Sequence, residues 1–295
     1  MSLSLCILAS GSGGNCTALR SPHALALIDA GIGPRTAAQR LQGTGVSVAD
    51  VSAICLTHLD RDHFCTNWLA TILDRRIQLF CHHRRVPDLL DIARQWHAAL
   101  PPGRRRDHAH ELPSLITPFD SQPFDLLPSV TATPIALAHD RTGSHGFLIE
   151  SPGCRIGYAT DLGRVPPHLI ESFQDVDVLA LESNYDTHMQ QTSTRPWFLK
   201  QRIMGGAGHL SNDQAFAAVR TILNRAQNPC RLPSHIVLLH RSRQCNCPHL
   251  LRKLFTRDPR IAPRLVLAEQ FERSEWLRAR REPAFTGAQL SLAWA

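Results

Sequence analysis

The chain has 295 residues, of which 43% are hydrophobic, a composition typical of a globular protein with a sizeable core. It contains no run of 18 or more apolar residues, so we expect no membrane span. The first residues, MSLSLCILASGSGG, show no basic leader and are interpreted as part of the mature fold. The net charge of +7 favours an anionic partner, and nine cysteines without paired spacing favour a reducing cytoplasm.

Strands and helices alternate along the first hundred residues. The pattern predicts strands at 3–10, 24–30, 51–57 and 77–82, and helices at 35–45, 67–75 and 86–100. The glycine-rich segment between the first two strands lacks the lysine and the spacing of a P-loop. We therefore interpret it as a turn that allows a site to approach the backbone closely.

The second half of the chain is richer in strands. The pattern predicts β runs at 111–118, 124–138, 145–150, 154–160, 175–183, 235–240 and 264–270, with helices at 167–173, 213–226 and 248–255. Central sheets with helices outside predict one α/β domain over residues 1–272, a four-layer αββα sandwich. Residues 273–295 are weakly patterned and are treated as a separate C-terminal tail.

The segment THLDRDH holds four potential metal ligands directly after an apolar strand: His58, Asp60, Asp62 and His63. Imidazole and carboxylate groups bind zinc, manganese and iron. Residues 58, 60 and 62 alternate in an extended turn and therefore project to one side, so the segment can serve two adjacent metals. The alternative is a turn with a helix-capping aspartate, but capping does not require four ligands in six residues.

Three further potential ligands stand at the ends of predicted strands, namely His139, Asp161 and His240. Each is uninformative alone, because the chain has sixteen histidines. Together they have a common explanation, since sites form where strand ends converge. Two neighbouring cations need a bridging carboxylate, and Asp161 suits that role.

The order of these motifs resembles the metallo-β-lactamase-fold hydrolases, and more narrowly their WalJ/YycJ-like, exonuclease-like branch. The segments that carry the resemblance are ASGSGGNCT, LIDAG, THLDRDHF, AHD, GYATDLG, LALESNYD, GHLSN and LLHRSRQCN, between about residues 3 and 270. The resemblance implies two divalent metal ions and a metal-bridging hydroxide as nucleophile. It implies one ligand set of His58, Asp60, His139 and Asp161, and a second of Asp62, His63, Asp161 and His240.

The chain departs from the family at Asp60, where a histidine is usual. A carboxylate is a harder ligand, so we expect the preference to move from zinc toward manganese or iron. Asp29 is a candidate for orienting a ligand histidine, with a plain turn aspartate as the alternative. Asn184 is a candidate for supporting the ligands or contacting substrate, although the next residue, Tyr185, departs from the histidine common in the branch.

Three residues are predicted to act on substrate. Asp62 and His209 are the candidate catalytic residues, and His209 is expected to contact a phosphate or protonate a leaving oxygen. Arg241 directly follows a candidate ligand and is placed to meet a phosphate backbone. The chain has only two tyrosines, and no stacking platform for single strands is evident from its sequence.

Three functions compete. The leading hypothesis is a cytoplasmic two-metal phosphodiesterase, specifically an exonuclease with nucleic acid as partner. The second is a hydrolase of a small molecule, such as a cyclic phosphodiester, a lactone or a thioester, because the fold does not choose between them. The third is a non-catalytic binding module with a degenerate site, for which Asp60 is the only support.

Overall fold

The computed structural model describes residues 3–104, 107, 109–227 and 232–279. The described strands are β1 (Ser4–Ala9), β2 (Cys16–Arg20), β3 (Leu25–Ile28), β4 (Val51–Cys55), β5 (Gln78–His82), β6 (Ile116–Phe119), β7 (Phe124–Leu127), β8 (Val130–Leu137), β9 (Ser144–Ser151), β10 (Cys154–Ala159), β11 (Val178–Glu182), β12 (His235–Leu239), β13 (Leu265–Leu267) and β14 (Leu277–Arg278). The described α-helices are α1 (Pro34–Leu41), α2 (Trp68–Arg75), α3 (Val86–Ala99), α4 (Leu112–Leu115), α5 (Pro167–Ser172), α6 (Thr187–Thr192), α7 (Trp197–Met204), α8 (Asn212–Asn224) and α9 (Pro248–Phe255).

These strands form two seven-stranded mixed sheets. The first has the order β14-β1-β2-β3-β4-β5-β6, and its strands from β3 to β6 are parallel. The second has the order β13-β12-β11-β10-β9-β8-β7, and its strands from β10 to β13 are parallel. Parallel strands end at a common edge, and this geometry gathers the site described below.

The apolar residues divide into three buried layers, because alternate residues of a strand face opposite sides of its sheet. Ile28 and Ala53 point into the layer between the sheets, whereas their neighbours Leu27 and Ile54 point outward. One outer layer packs the first sheet against α1, α2 and α3, and the other packs the second sheet against α5, α8 and α9. The predicted four-layer αββα arrangement is confirmed.

Most predicted elements lie within a few residues of the observed ones, and the differences are local. The segment 11–22, interpreted as a loop, contains β2, which continues the sheet after the glycine-rich turn. The β run predicted at 111–118 begins as the short helix α4 and becomes a strand only at Ile116. Helices α6 and α7 are absent from the predicted pattern, and α7 has little amphipathic character to reveal it.

The first sheet extends into the segment treated as a C-terminal tail. The backbone N–H of Ser274 donates to the carbonyl of Ile7, and β14 pairs with β1. The Ser274 hydroxyl oxygen also accepts a hydrogen bond from the backbone N–H of Ile7 at 2.9 Å. Residues 273–279 are therefore joined to the sheet, and the rest of the predicted tail lies outside the described residues. Within the described part, no helix is long and apolar enough to cross a bilayer.

Candidate metal centre

The candidate site lies at the ends of strands from both sheets. Asp29 follows β3, the turn with His58 follows β4, Asp161 follows β10, Glu182 ends β11 and His240 follows β12. All five residues are buried. The two sheets thus contribute their polar strand ends to one place.

The backbone turns sharply at several of these strand ends. Among the described residues, the non-glycine positions with positive φ include Asp29 (φ 59°), Asp140 (φ 41°), Asp161 (φ 54°) and His240 (φ 52°). Aspartate and histidine enter this left-handed region more readily than most residues, yet at some energetic cost. The fold accepts that cost at the positions from which side chains enter the site.

The first ligand group comprises His58, Asp60 and His139, whose ligand atoms lie within 4.8 Å of one another. Nδ1 of His58 lies 2.9 Å from the Thr57 hydroxyl, and Nδ1 of His139 donates to the carbonyl of Gly208 at 2.9 Å. Each ring therefore leaves Nε2 for the site. Nε2 of His58 is buried and has no hydrogen-bond partner among the described residues.

The second ligand group comprises Asp62, His63 and His240. Oδ2 of Asp62 lies 3.4 Å from Nε2 of His240 and 3.8 Å from Nε2 of His63. Nδ1 of His63 donates to Oδ2 of Asp29 at 2.8 Å, and Asp29 also accepts from the backbone and hydroxyl of Thr57. Asp29 thus contacts the ring nitrogen of His63 that faces away from the ligand cluster, which is the position expected of a residue that orients a ligand histidine.

Asp161 stands between the two groups. Its Oδ2 lies 2.9 Å from Nε2 of His63, and its Oδ1 lies 3.9 Å from Nε2 of His139 and 3.3 Å from Nδ1 of His240. The Thr160 hydroxyl donates to Oδ2 at 2.9 Å. Oδ2 therefore faces the second group, whereas Oδ1 lies near His139 of the first group and His240 of the second, so the carboxylate is close to both groups.

The protonation equilibria of the cluster follow from burial and the carboxylates. Burial alone would lower the pKa of His240, but Asp161, Asp62 and Glu182 outweigh it and raise that pKa to about 10. The pKa of His63 is likewise raised because Asp161 and Asp29 outweigh its burial. Burial, together with the neighbouring His63, lowers the pKa of His58 well below its usual value, although Asp161 opposes this effect. Buried carboxylates here demand neighbouring positive charge.

These residues fit divalent cations. Nε2 of His58 is a buried lone pair without a partner, and Nε2 of His63 and Oδ2 of Asp161 face each other while Nδ1 of His63 already donates to Asp29. Nε2 of His63 and Oδ2 of Asp161 can lie this close when they share a proton or when both bind the same cation. Mixed imidazole and carboxylate ligands suit zinc, manganese and iron. The metallo-β-lactamase-type fold likewise implies a divalent metal site.

Glu182 is a site residue that the sequence did not predict. Its side chain is fully buried, and Oε1 accepts from Nδ1 of His209 at 2.7 Å and lies 3.1 Å from Nδ1 of His240. Oε2 accepts from the backbone N–H groups of Leu162 and Leu210, each at 3.1 Å. Burial would raise the pKa of this carboxyl, but His209 and His240 outweigh it and lower the pKa. Its signal was a charged residue ending the otherwise apolar strand VLALE.

The substitution Glu182→Gln is expected to lower both stability and activity. A glutamine has one oxygen for four donors, so at least one buried donor loses its acceptor, which costs about 1–3 kcal/mol of unfolding free energy. Misoriented His209 and His240 are expected to lower metal affinity or activity about tenfold or more. Denaturant unfolding and metal titration measure both effects, with exposed Glu171→Gln as the matched control. Wild-type metal affinity in Glu182→Gln would show that Glu182 does not position these histidines.

The glycine-rich segment supplies a second residue that the sequence analysis missed, Asn15. Its Nδ2 lies 2.9 Å from Nε2 of His63, and its backbone N–H donates to the carbonyl of Asp62 at 2.6 Å. The facing Gly31 leaves no room for a side chain, because a Cβ there would lie 1.8 Å from the carbonyl oxygen of Asp62. The glycines thus let two loops pack directly against the ligand turn.

Two other predicted residues adjoin the cluster. His209 lines the cavity at the site, and because its Nδ1 donates to Glu182, Nε2 is the ring nitrogen left for substrate. Burial would lower the pKa of His209, but Glu182 and Asp161 outweigh it and raise the pKa. Nδ2 of Asn184 donates to the carbonyl of His240 at 2.7 Å, which holds the His240 turn.

The cavity over the cluster has a volume of about 340 Å³, and its arginines differ from the one predicted. Arg195 and Arg202 line it, and Arg202 pairs with Asp140. Arg241 is not among the lining residues: its side chain is 12% exposed and pairs with Glu269. The guanidinium of Arg241 is instead directed to Glu269.

Two sheets enclosed by helices, with a His/Asp cluster at the strand ends, define a hydrolase of the metallo-β-lactamase fold. Residues 26–236 match the family model described as the beta-lactamase superfamily domain, and the chain belongs to that family. The exodeoxyribonuclease YycJ of Bacillus anthracis is 23% identical over 256 residues, covering 85% of this chain and 87% of that protein. The exodeoxyribonuclease WalJ of Streptococcus pneumoniae is 26% identical over 249 residues, 83% of each chain. The resemblance inferred from the motifs is confirmed.

Solved structures agree on the fold. The metallo-β-lactamase fold protein YhfI of Bacillus subtilis aligns with a TM-score of 0.63 at 13% identity, over 93% of this chain and 99% of that one. A diphosphatase of the PhnP family aligns with a TM-score of 0.61 at 15% identity, over 95% and 98% of the two chains. The short form of human tRNase Z aligns with a TM-score of 0.60 at 19% identity, over 93% and 98%.

Proposed function

We propose that the protein is a dinuclear-metal phosphodiesterase that removes nucleotides from the ends of nucleic acids. The observation that carries the proposal is the position of Asp161 between two ligand groups, each with its own histidines and carboxylate. A single structural metal needs one such group. Two groups that share a carboxylate are the arrangement for two ions acting together on one phosphate.

In this proposal, one ion is held by His58, Asp60, His139 and Asp161, and the other by Asp62, His63, Asp161 and His240. When bound, such ions polarise a phosphodiester and activate a water nucleophile. Asp29 and Glu182 keep the ligand histidines in place through their Nδ1 atoms.

His209 is the residue proposed to exchange a proton with the substrate. Its Nδ1 is held by Glu182, so the ring is fixed while Nε2 remains for a phosphate oxygen or a leaving oxygen. Asp62, whose side chain is 27% exposed, is the proposed ligand with the greatest access to the reacting phosphate in its group. Burial would raise the pKa of Asp62, but His240 and His63 outweigh it and lower the pKa, so it acts as a carboxylate.

Nucleic acid as substrate is supported by three independent features. The relatives of similar length are named exodeoxyribonucleases. The net charge is +7, which favours a polyanion. Arg195 and Arg202 line the cavity beside the ligand cluster. Together these features favour a phosphodiester over the lactone or thioester that the same fold could accept.

A small phosphodiester or diphosphate is the second candidate substrate. The cavity volume of about 340 Å³ lies near the lower end of the ~300–1,000 Å³ range of small-molecule sites. Such a cavity accommodates one terminal unit of a strand or one complete small molecule. The two candidates therefore differ in whether additional nucleotides outside the cavity improve the reaction.

Product analysis with the metal-reconstituted protein tests the proposal. The protein is stripped with a chelator, divided, and reloaded with manganese or zinc or left metal-free. Labelled single- and double-stranded DNA and RNA are expected to release mononucleotides only with the reloaded protein, with kcat/KM rising with strand length. Release of no nucleotide from any of these strands would sink the nuclease proposal. Hydrolysis of dinucleotides alone would favour the small-molecule alternative.

A further inference from the structure

Three large hydrophobic side chains are exposed in the described part of the chain, and all three are aromatic. Trp197 is 74% exposed, Phe198 is 70% exposed and Phe271 is 64% exposed. Exposed aromatic side chains forfeit the free energy of burial, and clusters of them mark interaction sites. Their location therefore bears on what the protein binds.

Each of the three lies on a segment that borders the cavity over the ligand cluster. Trp197 and Phe198 begin α7, whose next residue, Leu199, lines the cavity. Phe271 lies under the guanidinium of Arg243, 4.8 Å from its ring centroid.

Phe271 is connected to the same cavity from two directions. Arg243 stands between Ser242 and Gln244, which both line the cavity. The residue preceding Phe271, Gln270, accepts a hydrogen bond from the backbone of Gly13 at 2.7 Å, next to the cavity-lining Ser12. The exposed aromatics thus all belong to segments that contribute lining residues to the cavity or contact such segments.

Arg195 connects the segment before Trp197 with the loop that contains Ser242 and Gln244. Its guanidinium donates to Oε1 of Gln190 and to Oε1 of Gln244, each at 3.1 Å, and lies 3.4 Å from the hydroxyl of Ser242. These partners are neutral, and no carboxylate pairs with Arg195 among the described residues. By contrast, Arg202 and Arg241 are paired with carboxylates. Arg195 is therefore a positioned cation at the cavity that forms no direct ion pair with a described carboxylate.

We propose that this rim, formed by Arg195, Trp197, Phe198, Arg243 and Phe271, binds single-stranded nucleic acid. Arg195 holds a backbone phosphate at the mouth of the cavity, while Trp197, Phe198 and the Arg243–Phe271 pair stack on unpaired bases. The inference rests on the proposed nuclease function and specifies its substrate class. Stacking surfaces joined to basic side chains are how proteins bind single strands without sequence preference.

The combination of features favours a single strand over other partners. In a duplex only the terminal base pair exposes a face, whereas every unpaired base of a single strand does, so several exposed rings match a single strand better than a duplex. An apolar protein partner would not require a guanidinium at this place. A backbone phosphate, by contrast, is an anion that the guanidinium of Arg195 can bind. The rim also continues directly into the site proposed to cleave the strand, so one ligand accounts for both.

Binding measured without turnover tests the rim independently of catalysis. Fluorescence anisotropy of a labelled 12-nucleotide single strand and the matching duplex is recorded with metal-free full-length protein. The double variant Trp197→Leu with Phe198→Leu keeps apolar area but removes the ring faces, whereas Trp197→Tyr with Phe198→Tyr keeps rings. We expect the leucine variant to bind the single strand at least about tenfold more weakly, and the tyrosine variant to bind within about twofold of wild type.

Arg195→Gln is expected to weaken single-strand binding and to reduce its salt dependence, because one phosphate contact is lost. Exposed Arg220→Gln, on α8, is its matched control and is expected to have neither effect. Thermal unfolding of every variant confirms that the fold is intact.

Several results overturn the rim proposal without touching the nuclease proposal. One such result is an unchanged dissociation constant for the single strand in the leucine variant. Another is an equal loss of single-strand affinity in the leucine and tyrosine variants. A third is a leucine variant that loses affinity for the single strand and for the duplex to the same extent. A wild-type dimer that the leucine variant converts to monomer in sedimentation experiments also overturns it, since the rings would then serve self-association. Conversely, ring-dependent strand binding by a protein that cleaves no phosphodiester would retain the rim and refute the nuclease.

Discussion

The substitution Asp161→Asn is expected to reduce phosphodiesterase activity by about 10³-fold or more, because a shared metal ligand contributes several kcal/mol to charge stabilisation. Asp161 is the carboxylate that lies between the ligand groups, 2.9 Å from Nε2 of His63 and 3.9 Å from Nε2 of His139. Asparagine has nearly the same shape but replaces one anionic oxygen with an amide NH₂. That NH₂ cannot bind a cation, so one of the two groups loses its fourth ligand.

The metal content separates this effect from a general loss of structure. We expect metal analysis to find two ions per wild-type chain and at most about one per Asp161→Asn chain after identical loading. Initial rates on a chromogenic phosphodiester give the activity, and exposed Asp125→Asn on β7 is the matched control. An Asp161→Asn protein with wild-type rates would exclude Asp161 from the reaction. Two retained ions with no activity would instead assign Asp161 to chemistry alone.

The parts of the site that could be predicted from the sequence are those with both a chemical and a positional signal. His58, Asp60, Asp62 and His63 stand together in one turn, and a dense run of ligands is visible without any structure. Asp161 and His240 each follow a buried strand. Because strand ends converge at one edge of a sheet, this position predicted that the two side chains lie close together. The sandwich followed from the same signal, because apolar runs at strand length alternate with amphipathic helices.

The parts that could not be predicted depend on contacts between distant segments. Glu182 looks like any strand-end carboxylate until the fold places His209 and His240 against its Oε1. Asn15 serves the site only because Gly31 allows close packing on the Asp62 turn. Arg241 was predicted to contact a phosphate because it directly follows His240 in the sequence. Adjacent residues at a turn point in different directions, however, and the Arg241 side chain does not line the cavity.

The proposed nucleic-acid-binding rim also depends on contacts between segments that are distant in the sequence. Trp197 and Phe271 are far apart in the sequence, and α7 has a weak pattern, so no interleaving of basic and aromatic residues appears along the chain. The fold brings the two segments together through Arg195, which contacts the loop that contains Ser242 and Gln244. Nucleic-acid sites assembled from separate segments are therefore invisible to a search for local composition.

Asp60→His is expected to move the metal preference of the first group toward zinc by about 10- to 100-fold relative to manganese, because imidazole suits zinc whereas carboxylate suits manganese. In the proposed ligand sets, Asp60 gives the first ion two histidines and two carboxylates, the same composition as the second ion. A histidine there changes the first set to three imidazoles and one carboxylate. The three carboxylates Asp60, Asp62 and Asp161 offset three of the four positive charges of two divalent ions, and the substitution removes one of them.

The position is suited to this exchange. The Asp60 side chain is 45% exposed, in contrast to the buried His58 beside it, so an imidazole can be accommodated without opening the core. Its Oδ2 lies 3.8 Å from Nε2 of His58, and Asp60 also faces Arg202, whose pKa is raised mainly by its hydrogen bond to Asp140. Loss of the Asp60 charge therefore leaves Arg202 paired.

Competitive loading with equal zinc and manganese, followed by metal analysis, measures the preference directly. Arg61→His, at the exposed neighbouring position, controls for a histidine that adds zinc affinity without joining the group. We expect the zinc-to-manganese ratio to rise in Asp60→His and to stay at the wild-type value in Arg61→His. Equal ratios in all three proteins would mean that Asp60 is not a ligand, and the first ion would then rest on His58, His139 and Asp161 alone.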